Sequence, residues 1–171
     1  LTDTDVVEAA QLLSELEPGW LPEPIFQAVA RLVVLPIVEV VPLRRADTGE
    51  IEILLLERRA DDPVWPGMLH TPGTVVRASD SPGSFDDALG RILDDELGNI
   101  GASEPVWVKN ILHHSGRGME ASQIYWIEVE GEPKVGTYYR SSQLPERLVQ
   151  TQLDFIPDAV EHFKRSRGSL R

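Results

Sequence analysis

The sequence contains no cysteine, which excludes disulfides, thiolate metal sites and a cysteine nucleophile. That absence fits a cytoplasmic location, where thiols would stay reduced in any case. Positive charge is scarce as well: 16 Lys and Arg face 28 Asp and Glu, for a formal net charge of −12. Sequence-independent nucleic-acid binding needs a basic face that displaces counterions, so no nucleic-acid partner is expected. Adhesion to anionic lipid is disfavoured for the same reason. Long hydrophobic runs are missing too. The most apolar stretch, Leu32 to Leu43, is interrupted by Pro36, Glu39 and Pro42 and is too short to span a bilayer. Acids stand near the N-terminus where a secretory leader carries basic residues, so no membrane association is expected. A small anionic ligand stays compatible with the charge, because a metal ion and a few local arginines can invert the field at a site.

What is present suits a soluble globular chain: 42% apolar and 26% charged residues, with 13 prolines and 13 glycines set as turns between apolar runs. At 171 residues the simplest organisation is one compact domain, residues 33–171, behind an N-terminal helical extension, residues 1–32. Val6, Ala9, Ala10, Leu13 and Leu16 repeat at helical spacing and predict a helix over 3–17, capped by Thr4 or Asp5 and stopped at Pro18-Gly19. A second short helix is predicted from Pro24 to Arg31. The pair suits a cap or a dimer element, which makes a homodimer a candidate assembly.

From Val33 the pattern turns to strand. The β-branched run to Val41 predicts a strand buried in part on both faces, with Pro36 and Pro42 at an edge, a bulge or its ends. Asp47-Thr48-Gly49-Glu50 reads as a turn, and Ile51 to Arg58 as the second arm of a hairpin. A Pro/Gly-rich loop over 61–73 leads to a short strand over 74–77. Ser84, with Asp87 three residues on, then predicts the start of a helix to about Leu97, ended by Gly98. Strands over 106–113 and 122–129 follow, around a loop with Gly116 and Gly118, and a last helix over 157–167. The order predicts an α+β fold with a mixed sheet.

Chemistry concentrates in two segments. The first is the tight loop Trp65-Pro66-Gly67-Met68-Leu69-His70-Thr71-Pro72-Gly73-Thr74. The second is the helical stretch Arg91-Ile92-Leu93-Asp94-Asp95-Glu96-Leu97-Gly98. Three acids at a helix C-terminus oppose the macrodipole, and a bound cation would relieve that repulsion. A solvated acidic face would show the same cluster. At 100° per residue, Asp95 and Glu96 flank Ile92 on one helix face.

These segments resemble the signature box of the Nudix superfamily, in a degenerate form. Pro72-Gly73-Thr74 matches the loop, with Thr where a second Gly is usual. Arg91, Leu93, Asp95, Glu96 and Gly98 match the helical half at the family spacing, and Trp65-Pro66-Gly67 matches its lead-in. The resemblance covers about residues 33–165. Ile92 stands where the family has a metal-binding Glu, and Asp95 is a shortened form of the next ligand. Asp80 lies at the family's spacing from Thr74 for an earlier Glu, if Ser81-Pro82-Gly83 is an insertion. Counted back from Arg91, that position falls on Gly83 instead.

The resemblance implies a Nudix-like α/β/α sandwich and a metal-dependent hydrolase of a nucleoside diphosphate linked to another moiety, weakened by its incomplete ligand set. It implies Mg²⁺ or Mn²⁺ held by Asp95 and Glu96 with Asp80 assisting, and Arg91 orienting the acids. Mg²⁺ often needs only one or two protein carboxylates. The partner would be a small-molecule phosphoanhydride, contacted by Arg58, Arg59 and Gly73. Glu120, read as a loop residue, would supply an acid or base; a solvated Glu is the plainer account. The alternative function is a non-catalytic Nudix-like domain that binds a nucleotide or another protein, and Ile92 favours it. His113 and His114 are adjacent on a strand and point to opposite faces. Trp65, Trp107 and Trp126 suit either stacking on a ligand or packing in the core.

Overall fold

The computed structural model describes residues 1–98 and 100–168. Asn99 and the last three residues of the 33–171 unit lie outside them. The sheet is built on β1 (Leu35–Arg45), whose Ile37, Val38, Val40, Val41 and Leu43 are all buried. It runs parallel to β7 (Met119–Glu130), with Leu35 to Leu43 opposite Glu120 to Glu128. The other edge of β1 is shared. Its C-terminal end pairs antiparallel with β2 (Ile51–Glu57) through the expected hairpin. Its N-terminal end pairs antiparallel with β4 (Gly73–Val75). The sheet therefore splits beside the middle of β1, and the loop before β4 enters the split. Further pairs complete a mixed, eight-stranded sheet. The two-residue β3 (Leu69–His70) and β8 (Thr137–Arg140) both pair with β2, while β5 (Gly101–Ala102) and β6 (Val106–His114) pair with β7.

Both faces are covered, as a sandwich requires. On one lies α4 (Ile156–Gly168), whose Ile156, Ala159, Val160 and Phe163 pack with Val41, Leu43, Ile53, Ile124 and Trp126. On the other lies α3 (Asp86–Arg91), with Ala88 and Leu89 against Val38, Val40, Leu54 and Ile127. Before the sheet come α1 (Asp3–Ser14), which buries no residue, and α2 (Glu23–Ala30), whose Ala30 joins Leu35 and Ile37 in a small third cluster. No helix among the described residues is long and apolar enough to cross a membrane.

Several expectations shift. The cap of α1 is Thr2, not Thr4 or Asp5: Thr2 and Asp5 exchange hydrogen bonds in a capping box that starts the helix earlier. The central helix begins at Asp86, with Phe85 and not Ser84 at its cap position; the Ser84 hydroxyl accepts from the Asp86 amide at 3.3 Å, and the Asp87 carboxylate accepts from the Ser81 amide of the preceding turn at 2.6 Å. That helix is also not uniform. From Ile92 to Glu96 it widens into a π turn, closed by the Leu97 amide on the Ile92 carbonyl at 3.0 Å. The 100° spacing that set Ile92, Asp95 and Glu96 on one face therefore does not apply. Ile92 is fully buried while Asp95 is exposed. Gly98, with φ of +62°, ends the segment in the left-handed region, as expected of a C′ glycine.

Candidate functional site

At the split in the sheet, Glu39 of β1 lies directly opposite Gly73 of β4. A side chain at residue 73 would put its Cβ 2.6 Å from the Glu39 carboxylate, so only glycine lets the two strands close with that carboxylate between them. The Thr71 hydroxyl donates to Glu39 at 3.1 Å. From the opposite side, the Gly73 amide donates to Glu96 at 3.4 Å. The two carboxylates thus flank one glycine. Burial, then repulsion from Glu120, pushes Glu39 up to about 8. Burial also raises Glu96, to about 7, against the pull of the Gly73 amide and Arg58. Glu39 therefore keeps its proton at neutral pH, and Glu96 stands close to half-protonation there.

Glu120 is not in a loop. It is the second residue of β7 and is buried, accepting from the Ser115 hydroxyl at 2.7 Å and from Arg117 at 3.1 Å. His113 lies 3.6 Å from its other oxygen and 3.1 Å from the Ser122 hydroxyl, while His114 points outward, exposed. The sequence placed Glu120 in a turn because nothing local shows that β7 starts at Met119.

Asp80 and Arg91 form a closed pair: two hydrogen bonds, at 2.5 and 2.9 Å, hold them, and Arg91 also donates to the Val75 carbonyl. The guanidinium holds Asp80 below the ordinary carboxylate range. Arg91 therefore ties the helix to the 75–80 turn and does not hydrogen-bond the helix acids. The structure does not bring Asp80, Asp95 and Glu96 to one point. Among the described residues, no three of His, Asp and Glu converge closely enough to hold a single metal ion.

Asp95 and Glu96 border a cavity of about 1100 Å³ that runs from the split to α1 and α2. Arg58, Arg59, Arg77, Arg91 and Arg117 also border it. Arg58 and Arg117 both approach the Trp65 ring, at 5.4 and 5.0 Å from its centre. The Trp65 loop is fixed by Asp62, which accepts from the Val64 and Trp65 amides at 2.9 and 2.8 Å and pairs with Arg58 at 3.4 Å. Gly116 lets this loop close on the β6–β7 turn, since a Cβ there would meet Val64 at 2.5 Å. Arg59 is more peripheral, 83% exposed and paired with Asp61. A smaller cavity of about 400 Å³ shares His70 and Glu96 with the large one. Burial and Arg58 lower His70 to about 3, so it is neutral. Trp126 is a core residue, donating to His162 at 2.8 Å, and Trp107 is half exposed on β6. Only Trp65 of the three tryptophans singled out in the sequence borders the cavity.

Glu39, Thr71, Arg117 and Ser115 were not singled out by sequence. Glu39 did leave a trace: a carboxylate inside a β-branched run is costly to bury without a purpose. Arg117 left none.

No family model and no curated protein matches the chain. Solved structures do. A MutT/Nudix family protein from Listeria innocua superposes with a TM-score of 0.61 at 16% identity, over 77% of this chain and 95% of its own. The Nudix domain of Shewanella oneidensis NrtR, complexed with ADP ribose, gives 0.59 at 17%, over 84% and 99%. An Ap4A hydrolase from C. elegans gives 0.56 at 14%, over 77% and 98%.

Proposed function

The chain has the Nudix fold, and on that premise we propose that it is a metal-dependent hydrolase of a nucleoside diphosphate linked to another moiety, working with a reduced ligand set. The observation that carries this reading is Glu96: a half-enclosed carboxylate with its pKa raised to about 7, facing a large cavity between the Gly73 amide and a group of arginines. The similar structures that carry ADP ribose, or are named for Ap4A hydrolysis, support a phosphoanhydride ligand.

The donors fit Mg²⁺ or Mn²⁺ in chemistry. Glu96 and Asp95 are hard oxygen ligands on the cavity wall, and substrate phosphates and water complete such a shell. When bound, the metal neutralises phosphate charge and lowers the pKa of water. The chain's own residues do the rest. Arg58 and Arg117 orient the phosphates from the face of Trp65, and the Gly73 amide fixes the Glu96 carboxylate. Asp80 acts through Arg91, holding the helix in register with the loop. Glu39, protonated at neutral pH behind Gly73, is placed to exchange a proton with the site. Calorimetric titration of Mn²⁺ tests the reading. Saturable binding in the wild type, weakened at least tenfold in Glu96→Gln, is expected; equal affinity in both would remove Glu96 from the site.

A second reading, a domain that binds a nucleotide or another protein without catalysis, is favoured by one observation. Ile92 is fully buried, so the family's additional carboxylate has no place on this helix. Metal binding without turnover of any nucleoside diphosphate compound would select it.

A further inference from the structure

The large cavity has two unlike walls. At the sheet end stand Arg58, Arg91 and Arg117 with Asp62, Asp95 and Glu96, and Arg77 lies between the two walls, against Trp20. The opposite wall, formed between residues 13 and 36, brings no cation; its charged members are Glu17 and Glu23, and Leu13, Leu16, Trp20, Phe26 and Val29 provide most of the rest. Besides the small cluster of Ala30 with Leu35 and Ile37, this wall is held against the body at both of its ends. Gly118 of the β6–β7 turn lies so close to the Ala30 carbonyl that a Cβ would collide with it. At the other end, Arg77 stacks on the Trp20 ring, 5.1 Å from its centre. The helices are thus seated over the cavity, yet the surface they present remains open to water: Leu13 is 50% and Trp20 74% exposed.

We propose that the moiety linked to the diphosphate is a hydrocarbon chain, bound along α1 and α2, so that the substrate is a nucleoside diphosphate ester of a lipid-like alcohol. This rests on the phosphoanhydride reading above. Charge sets the direction: phosphates are drawn to the arginines and repelled by Glu17 and Glu23, which leaves the helical wall to the uncharged end. A sugar there would need polar partners, and this wall supplies Gln27 as its main uncharged one. The cavity is also at the upper end of the size usual for ligand sites, which suits an extended chain.

The test is calorimetric binding of two probes to the full chain, in EDTA so that turnover adds no heat. One is the dodecyl ester of cytidine diphosphate, kept below its micellar concentration; the other is ADP ribose. The dodecyl ester is expected to bind at least tenfold more tightly. Leu16→Asp and Trp20→Ala should each weaken it about tenfold while changing ADP ribose less than twofold. ADP ribose binding as tightly as the ester, or both probes weakening equally in the variants, would overturn the proposal and leave the phosphoanhydride reading standing. Neither probe binding in EDTA, nor giving heat of turnover once Mg²⁺ is supplied in excess, would overturn both.

Discussion

At the scale of single residues, the acids of this site are defined by their distance from water more than by their number. Glu39 binds its proton more tightly in the folded chain, at about 8, than the ordinary 4.5 of an unfolded one. Its share of stability is therefore complete below pH 4.5 and is lost as the pH climbs to 8. Across pH 6 to 8.5 the loss is about 2 kcal/mol, at roughly 1.4 kcal/mol per unit of pKa difference. Urea denaturation should show the wild type weakening over that range and Glu39→Gln weakening less, because Glu96, raised to about 7, still loses its own proton there; equal slopes in the two would mean that the Glu39 carboxylate ionises freely. His70 runs the other way. Its folded value of about 3 lies below the unfolded 6.5, so the unfolded chain takes up protons first and stability falls between pH 6.5 and 3. Of these groups, Glu96, Gly73 and Arg91 were legible in the sequence because they belong to one local pattern. Glu39 was not, because its place depends on the pairing of β1 with β4, a register that no nearby residue announces.

At the scale of elements, the same division between local and distant cause recurs. The helices and the hairpin were readable from spacing and turn residues, and their ends moved by only a few positions. The two-residue strands β3 and β5, and β8, are held by partners far along the chain and carry no periodic signal of their own. The π turn over Ile92–Glu96 is the consequential departure, because it separates Ile92 from the acids that a regular helix would have set beside it. Restoring a family-like acid at residue 92 is thus not a simple repair. Ile92→Glu places a carboxylate among Val38, Val40, Leu89 and Ile127, and should cost about 3 kcal/mol or more in chemical denaturation. Wild-type stability in that variant would mean that the segment rolls outward and offers the new acid to the cavity.

At the scale of the whole molecule, the stability of the sandwich and the shape of its cavity have separate sources. The two main cores lie on the faces of the sheet and draw on nothing before β1. Residues 1–22 bury no side chain, although Leu13, Leu16 and Trp20 build one wall of the cavity. Ala30 is different, because it closes the third cluster with Leu35 and Ile37. Removing residues 1–22 should therefore cost less than about 1 kcal/mol of unfolding free energy, in the range of surface changes. Removing residues 1–31 should cost about 2–3 kcal/mol, since it uncovers Leu35 and Ile37 and deletes the buried alanine. Urea curves on the two truncations measure the difference directly. Equal losses would mean that α1 carries stability despite its exposed surface. The expected inequality would mean that the segment from α1 to Trp20 shapes the cavity without holding the sandwich together.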